Sequence, residues 1–65
     1  MRIQVNGDWR EVSAGWLAGA LADLGYAGTV VSTAVNGEFV AVQAREHTPL
    51  AEGDRLEVLA PMQGG

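Results

Sequence analysis

The sequence predicts an α+β roll in which one main helix packs on one face of a mixed sheet of four to five strands. Two Asn-Gly pairs, Asn6-Gly7 and Asn36-Gly37, each lie between short runs of strand character, which marks two hairpins. Between them Leu17, Leu21 and Leu24 fall at i, i+4 and i+7, on one face of a helix. A last alternating run puts Leu56, Val58 and Ala60 on one side. A helix flanked by two hairpins buries its leucines against the sheet they form.

The elements follow in order. Arg2-Ile3-Gln4-Val5 alternates polar and apolar residues, the period of a half-buried strand. Asn6-Gly7 tolerates the positive φ of a tight turn, and Trp9-Arg10-Glu11-Val12 returns as the second strand. Ser13-Ala14-Gly15 breaks the extended pattern. The helix is expected over Leu17 to Leu24, with Ala20 beside the leucines and Ala18, Ala22 and Asp23 on the other side. Gly19 costs it about 1 kcal/mol relative to alanine, and Ser13 lies too far upstream to cap a start near Trp16. Gly25 fits the stop, where a left-handed residue favours glycine. Val30 to Val35 is rich in β-branched residues and reads as a strand, with Glu38 to Val42 returning across Asn36-Gly37. Arg45-Glu46-His47-Thr48-Pro49 reads as a polar loop, from which Leu50 plugs the core. Glu52-Gly53-Asp54 turns into the last strand, Arg55 to Ala60, and Pro61 ends it because proline cannot donate to the ladder. The first and last strands are expected side by side in the centre. Residues 1–60 then form the domain, and residues 61–65 a flexible tail ending in Gly64-Gly65.

At 65 residues the chain has room for one small domain. A chain of this size buries only ~60% of the surface it exposes when unfolded, which leaves little for a deep active site. Eight acidic residues against four arginines, scattered at positions 2, 10, 45 and 55, give a net charge of -4 and argue against nucleic acid as a partner. No apolar run approaches the ~20 residues of a membrane span, and Met1 to Val5 has no apolar signal region. A cytoplasmic protein, monomeric when free, is expected. The absence of cysteine excludes a disulfide framework, a thiolate zinc site and a cysteine nucleophile.

The usual catalytic candidates have simpler readings. His47 is the one histidine and sits in a polar loop with no partner to orient it. Ser13 and Ser32 lie near no nucleophile signature, and Glu52 and Asp54 flank a turn glycine. Gly15, Gly19, Gly25 and Gly28 lack the Lys-Ser/Thr ending of a phosphate loop, and no group of residues has metal-ligand spacing. No catalytic residue, cofactor or metal is expected.

The tail stands apart. Terminal glycines are in many chains merely frayed ends. They also have a physical use: without Cβ, two in succession let the backbone enter a channel that a side chain would block. The carboxylate of Gly65 would then be the group delivered into another enzyme. A carboxylate becomes an acyl donor only when a phosphoryl or adenylyl group turns its oxygen into a leaving group.

Met1-Arg2-Ile3-Gln4-Val5-Asn6-Gly7, the leucine-bearing helix, Ala34 to Val40, the run Leu50-Ala51-Glu52-Gly53-Asp54-Arg55-Leu56-Glu57-Val58 and the ending Ala60-Pro61-Met62-Gln63-Gly64-Gly65 together resemble the ThiS family, thiamine-biosynthesis sulfur carriers of the ThiS/MoaD superfamily. The resemblance covers essentially the whole chain and implies a ubiquitin-like β-grasp. It implies that Gly65 is adenylated by an ATP-dependent E1-like activating enzyme and converted to a thiocarboxylate by sulfur-relay enzymes. The sulfur then passes to thiazole synthase, with Gly64 as access spacer and the carrier a cosubstrate without catalysis of its own. Two departures stand: Ala41-Val42 replaces a frequent Pro-Arg pair, and Trp16 occupies a place where a small hydroxyl residue commonly caps the helix.

Docking is expected at the end of the sheet nearest the tail. Leu59 is out of phase with Leu56 and Val58, so it should face outward and form a small patch with Met62; Phe39 either joins them or enters the core. Trp9 and Trp16 are expected to pack as core or sheet cover, the alternative for Trp9 being a second contact face. Three other functions share the pattern: a molybdopterin synthase small subunit, a ubiquitin-like protein modifier, and an interaction module whose tail does nothing.

Overall fold

The structure, a computed structural model, describes residues 1–60. Both Asn-Gly pairs take the positive φ that closes a two-residue hairpin: 51° and 89° at Asn6 and Gly7, 51° and 85° at Asn36 and Gly37. The first joins β1 (Arg2–Val5) to β2 (Asp8–Glu11), and the second joins β3 (Ser32–Val35) to β4 (Glu38–Val40). The last strand, β5 (Arg55–Leu59), runs parallel to β1 and antiparallel to β3, which gives the sheet order β2-β1-β5-β3-β4. The first and last strands are therefore neighbours, with β5 in the centre.

Strand alternation sends Ile3, Val5, Thr33, Val40, Leu56 and Val58 to one face of this sheet. The helix α1 (Leu17–Asp23) covers that face with Leu17, Ala20 and Leu21, and Val12, Val31 and Leu50 fill in from the connections. Thr33 is the buried polar side chain of the core, and its hydroxyl donates to the Val40 carbonyl at 2.9 Å.

The helix ends are held from outside its own sequence. Trp16 makes no side-chain cap; the Leu17 N–H donates instead to the Thr48 carbonyl at 2.8 Å, and the Leu50 N–H to the Gly15 carbonyl at 2.9 Å. A backbone carbonyl thus does the work of the missing hydroxyl cap. At the other end Gly25 has φ 91°, the Tyr26 N–H reaches the Leu21 carbonyl and the Gly25 N–H the Ala22 carbonyl, a Schellman closure. Gly19, a cost by propensity alone, lies against the loop before the helix. A Cβ built there would come within 2.6 Å of the Ala14 Cβ.

Four expectations change. The strand expected from Val30 begins at Ser32, and Val30 is exposed. The strand expected to Val42 stops at Val40, and a 3-10 helix spans Val42–His47 where a loop was read. Arg45 ties this 3-10 helix to the start of β3: its Nη2 donates to the Val31 carbonyl at 2.6 Å and its Nε donates to Thr33 Oγ1 at 3.1 Å. Ala60 lies beyond the end of β5 and is exposed rather than joining Leu56 and Val58 in the core. Trp16, 51% exposed, is neither core nor sheet cover, whereas Trp9, 50% exposed, is sheet cover, one of its two expected placements. Trp9 covers the outer side of the sheet with the Arg2 guanidinium 5.1 Å from its ring centre, and Trp16 bridges to Pro49.

Asp23, placed by the sequence on the helix side away from the leucines, anchors the loop before α1. Its Oδ2 accepts from the Ser13 N–H, the Ser13 hydroxyl and the Ala14 N–H at 2.9, 3.0 and 3.2 Å. The Ser13 backbone N–H first, then its hydroxyl and the Ala14 N–H, hold the carboxyl below its ordinary value of 3.8. A depressed folded value adds stability that is present above the unfolded value and lost as pH falls through the folded one. The difference in denaturation midpoint between the native chain and Asp23→Asn should therefore shrink as pH drops below about 4; a difference constant to lower pH would contradict the anchor. Gly19→Ala should lower the midpoint, because overpacking of about 1–3 kcal/mol outweighs the roughly 1 kcal/mol of helix propensity gained. Ala14→Gly in the same chain should restore most of the loss, and a stabilised Gly19→Ala would show that Ala14 gives way freely.

Candidate functional site

The face of the sheet away from α1 carries no covering element among the described residues. Alternation that sends Leu56 and Val58 inward sends Arg55, Glu57 and Leu59 outward. In the same way Ser32 and Ala34 of β3 and Phe39 of β4 face out. The register pairs Ser32 with Leu59, and Ala34 with both Glu57 and Phe39. Leu59 and Phe39, 66% and 73% exposed, therefore flank the small residues Ser32 and Ala34. They line a depression of about 120 Å³. That is below the roughly 300–1,000 Å³ of a small-molecule pocket and suits a single partner side chain. Phe39, left open between core and patch by the sequence, belongs to the patch. Across the sheet, Trp9 under Arg2 forms a second apolar island, with Gln4 and Arg55 paired between the two. The expected docking residues Leu59 and Phe39 thus come together at the end of β5, while Met62, Gly64 and Gly65 lie outside the described residues.

The strand that leads to the tail is held on both sides by side chains that sequence reasoning treated only as turn residues. On the β1 side, Asn6 Oδ1 accepts from the Val58 N–H at 2.9 Å and Nδ2 donates to the Val58 carbonyl at 3.0 Å. On the β3 side, Asn36 Oδ1 accepts from the Arg55 N–H at 3.0 Å and Nδ2 donates to Asp54 Oδ1 at 3.0 Å. The signal was the choice of asparagine at both turns. Glycine also takes positive φ, but only a carboxamide adds a donor and an acceptor together.

The candidate catalytic residues have other work or none. Ser13 serves Asp23, Glu52 accepts the Arg2 N–H at 3.1 Å, and Asp54 accepts the Ala51 N–H at 2.8 Å. His47 is exposed at the end of the 3-10 helix. Among the described residues no cluster of His, Asp and Glu is arranged to hold a metal ion, and no helix is long and apolar enough to cross a membrane.

Comparison with known proteins adds two findings. A model described as the ThiS family matches residues 3–65. The crystal structure of a thiamine biosynthesis protein (ThiS) from Geobacter metallireducens is similar over 100% of both chains, with 31% identity and a TM-score of 0.79. No curated protein matches. The shared architecture is the ubiquitin-like β-grasp, a five-stranded mixed sheet with one helix.

Since Leu59 and Phe39 bury little, Leu59→Ser and Phe39→Ser should each shift the unfolding free energy by less than about 1 kcal/mol. Leu56→Ala, on the opposite face of the same strand as Leu59, should cost about 2–5 kcal/mol. Chemical denaturation decides: comparable losses at Leu59 and Leu56 would contradict the assignment of faces.

Proposed function

The chain belongs to the ThiS family, the small sulfur carriers of thiamine biosynthesis, and we propose that it carries sulfur as a thiocarboxylate on the α-carbonyl of Gly65. The observation that carries this reading is the family match running through the final Gly64-Gly65. The reading requires that Gly65 hold the free α-carboxylate.

One carboxylate oxygen attacks the α-phosphorus of ATP on an E1-like activating enzyme, and pyrophosphate leaves. The terminal sulfur of a relay enzyme's persulfide attacks the resulting acyl-adenylate, and AMP leaves with the oxygen. A second thiol then cleaves the S–S bond of the acyl disulfide, forming a disulfide with the relay sulfur, so that one terminal oxygen is exchanged for sulfur. Thiazole synthase is the acceptor in this reading. Gly64 places no side chain beside the reacting carbonyl. Leu59 and Phe39 are the docking residues in this reading, together with Met62, and residues 61–65 would add main-chain hydrogen bonds once inside the partner. The net charge of -4 favours basic partner surfaces, chiefly through association rate. The chain is a cosubstrate and supplies no catalytic group. A cytoplasmic location goes with the reading, because activation draws on ATP.

Intact mass after incubation with ATP, a sulfur source and the activating enzyme tests it. Exchange of one oxygen for sulfur at Gly65 is expected, with slower conversion of Leu59→Glu. Attachment of the chain to lysines of other proteins would overturn the carrier in favour of a protein modifier. The chain's four basic residues are all arginines, so self-conjugation at lysine does not confuse that result. An unchanged mass would leave the interaction module.

A further inference from the structure

Asn6 sits where β1 turns away from β5. On that side of β5 the Gln4 N–H donates to the Asp54 carbonyl and the Asn6 N–H to the Leu56 carbonyl, both at 2.9 Å. There the β1 backbone leaves, because Asn6 adopts φ 51° and the chain enters the hairpin turn. The next backbone groups on that side belong to Val58, a residue 5% exposed. Left alone, its N–H and carbonyl would be part-buried polar groups without a partner. The Asn6 carboxamide meets both, as donor and acceptor, in place of the strand residue that β1 no longer provides. On the β3 side the pairing runs on to Ser32 and Leu59. The two-sided hold on β5 thus lasts until one residue before Leu59.

We propose that Asn6 is a positioning residue for loading of the C-terminal carboxyl. By holding Val58 it fixes where Ala60 stands relative to the Leu59 and Phe39 patch, and so the point from which the tail sets out. The proposal rests on the sulfur-carrier reading. Docking through the patch sets the domain on the activating enzyme, and the six residues from Ala60 to Gly65 then span at most ~20 Å. A carboxylate must arrive within about 3–3.5 Å of the atom it attacks. A root that swings about Val58 spends its time away from that arrangement, although the domain still docks.

Asn6→Gly keeps the positive φ and deletes the carboxamide. Asn6→Asp keeps the φ and the acceptor but sets a carboxylate against the Val58 carbonyl. ATP–pyrophosphate exchange by the activating enzyme, with carrier concentration varied, separates kcat from KM for each. Gly19→Ala, destabilised far from β5, is the control, and all are assayed at a temperature where circular dichroism shows them folded. Both Asn6 variants should lose about tenfold or more in kcat with little change in KM, since a displacement near 1 Å can cost ~10²-fold. Gly19→Ala should match the native chain. Asn6→Gly with native kcat, or a loss equal to that of Gly19→Ala, would overturn the positioning role and leave the carrier reading intact. No exchange with the native chain would overturn the carrier reading, and this role with it.

Discussion

The structure depends on how β5 is held. It is the central strand, it meets β1 on one side and β3 on the other, and it leads into the Gly-Gly ending. Each neighbouring hairpin turns at an asparagine whose backbone makes the turn while its side chain bonds β5, Asn6 at Val58 and Asn36 at Arg55. A small sheet frays first where a strand outlasts its partners, because unpaired buried backbone groups are costly. Here one carboxamide supplies what the departing strand takes away. The same residues therefore close the hairpins and hold the strand next to the tail.

This arrangement divides the labour between the two faces of the sheet. The inner face, sealed by Leu17, Ala20 and Leu21, provides the stability a 65-residue domain needs. The outer face carries Leu59, Phe39 and Trp9 in the open, at positions where the fold gains little from them. An exposed apolar residue alone means nothing. Two that flank a side-chain-sized depression at the root of a Gly-Gly ending fit a docking surface. The family match and the structural neighbour make the chain a small sulfur carrier by family, and the proposed docking role of this surface is read on that basis.

Much of the fold was legible because its signals are local. Asn-Gly fixes a hairpin within four residues, leucines at helical spacing fix a helix face, and alternation in Arg55 to Leu59 fixes which side of β5 is buried. What was not legible comes from contacts distant in sequence. Arg45 was read as a loop residue, yet it sits on a 3-10 helix and bonds Val31 and Thr33, 14 and 12 residues away. The helix start lacks a local cap because Thr48 supplies one from afar. The cost of Gly19 made sense only once Ala14 stood against it. The Asn6 clamp reaches 52 residues along the chain to Val58, and no window of sequence contains it. For the site, Leu59 was legible from its phase alone, whereas Phe39 needed its register opposite Ala34.

The central claim is that β5 is held on both sides up to the residue before Leu59. Amide hydrogen exchange of the native chain tests it most directly, at the Val58 N–H, whose acceptor is the Asn6 side chain. The account predicts that this amide exchanges as slowly as those of Gln4 and Asn6, whose acceptors on β5 are backbone carbonyls. A Val58 amide that exchanges orders of magnitude faster than these would show a frayed strand end and contradict the account.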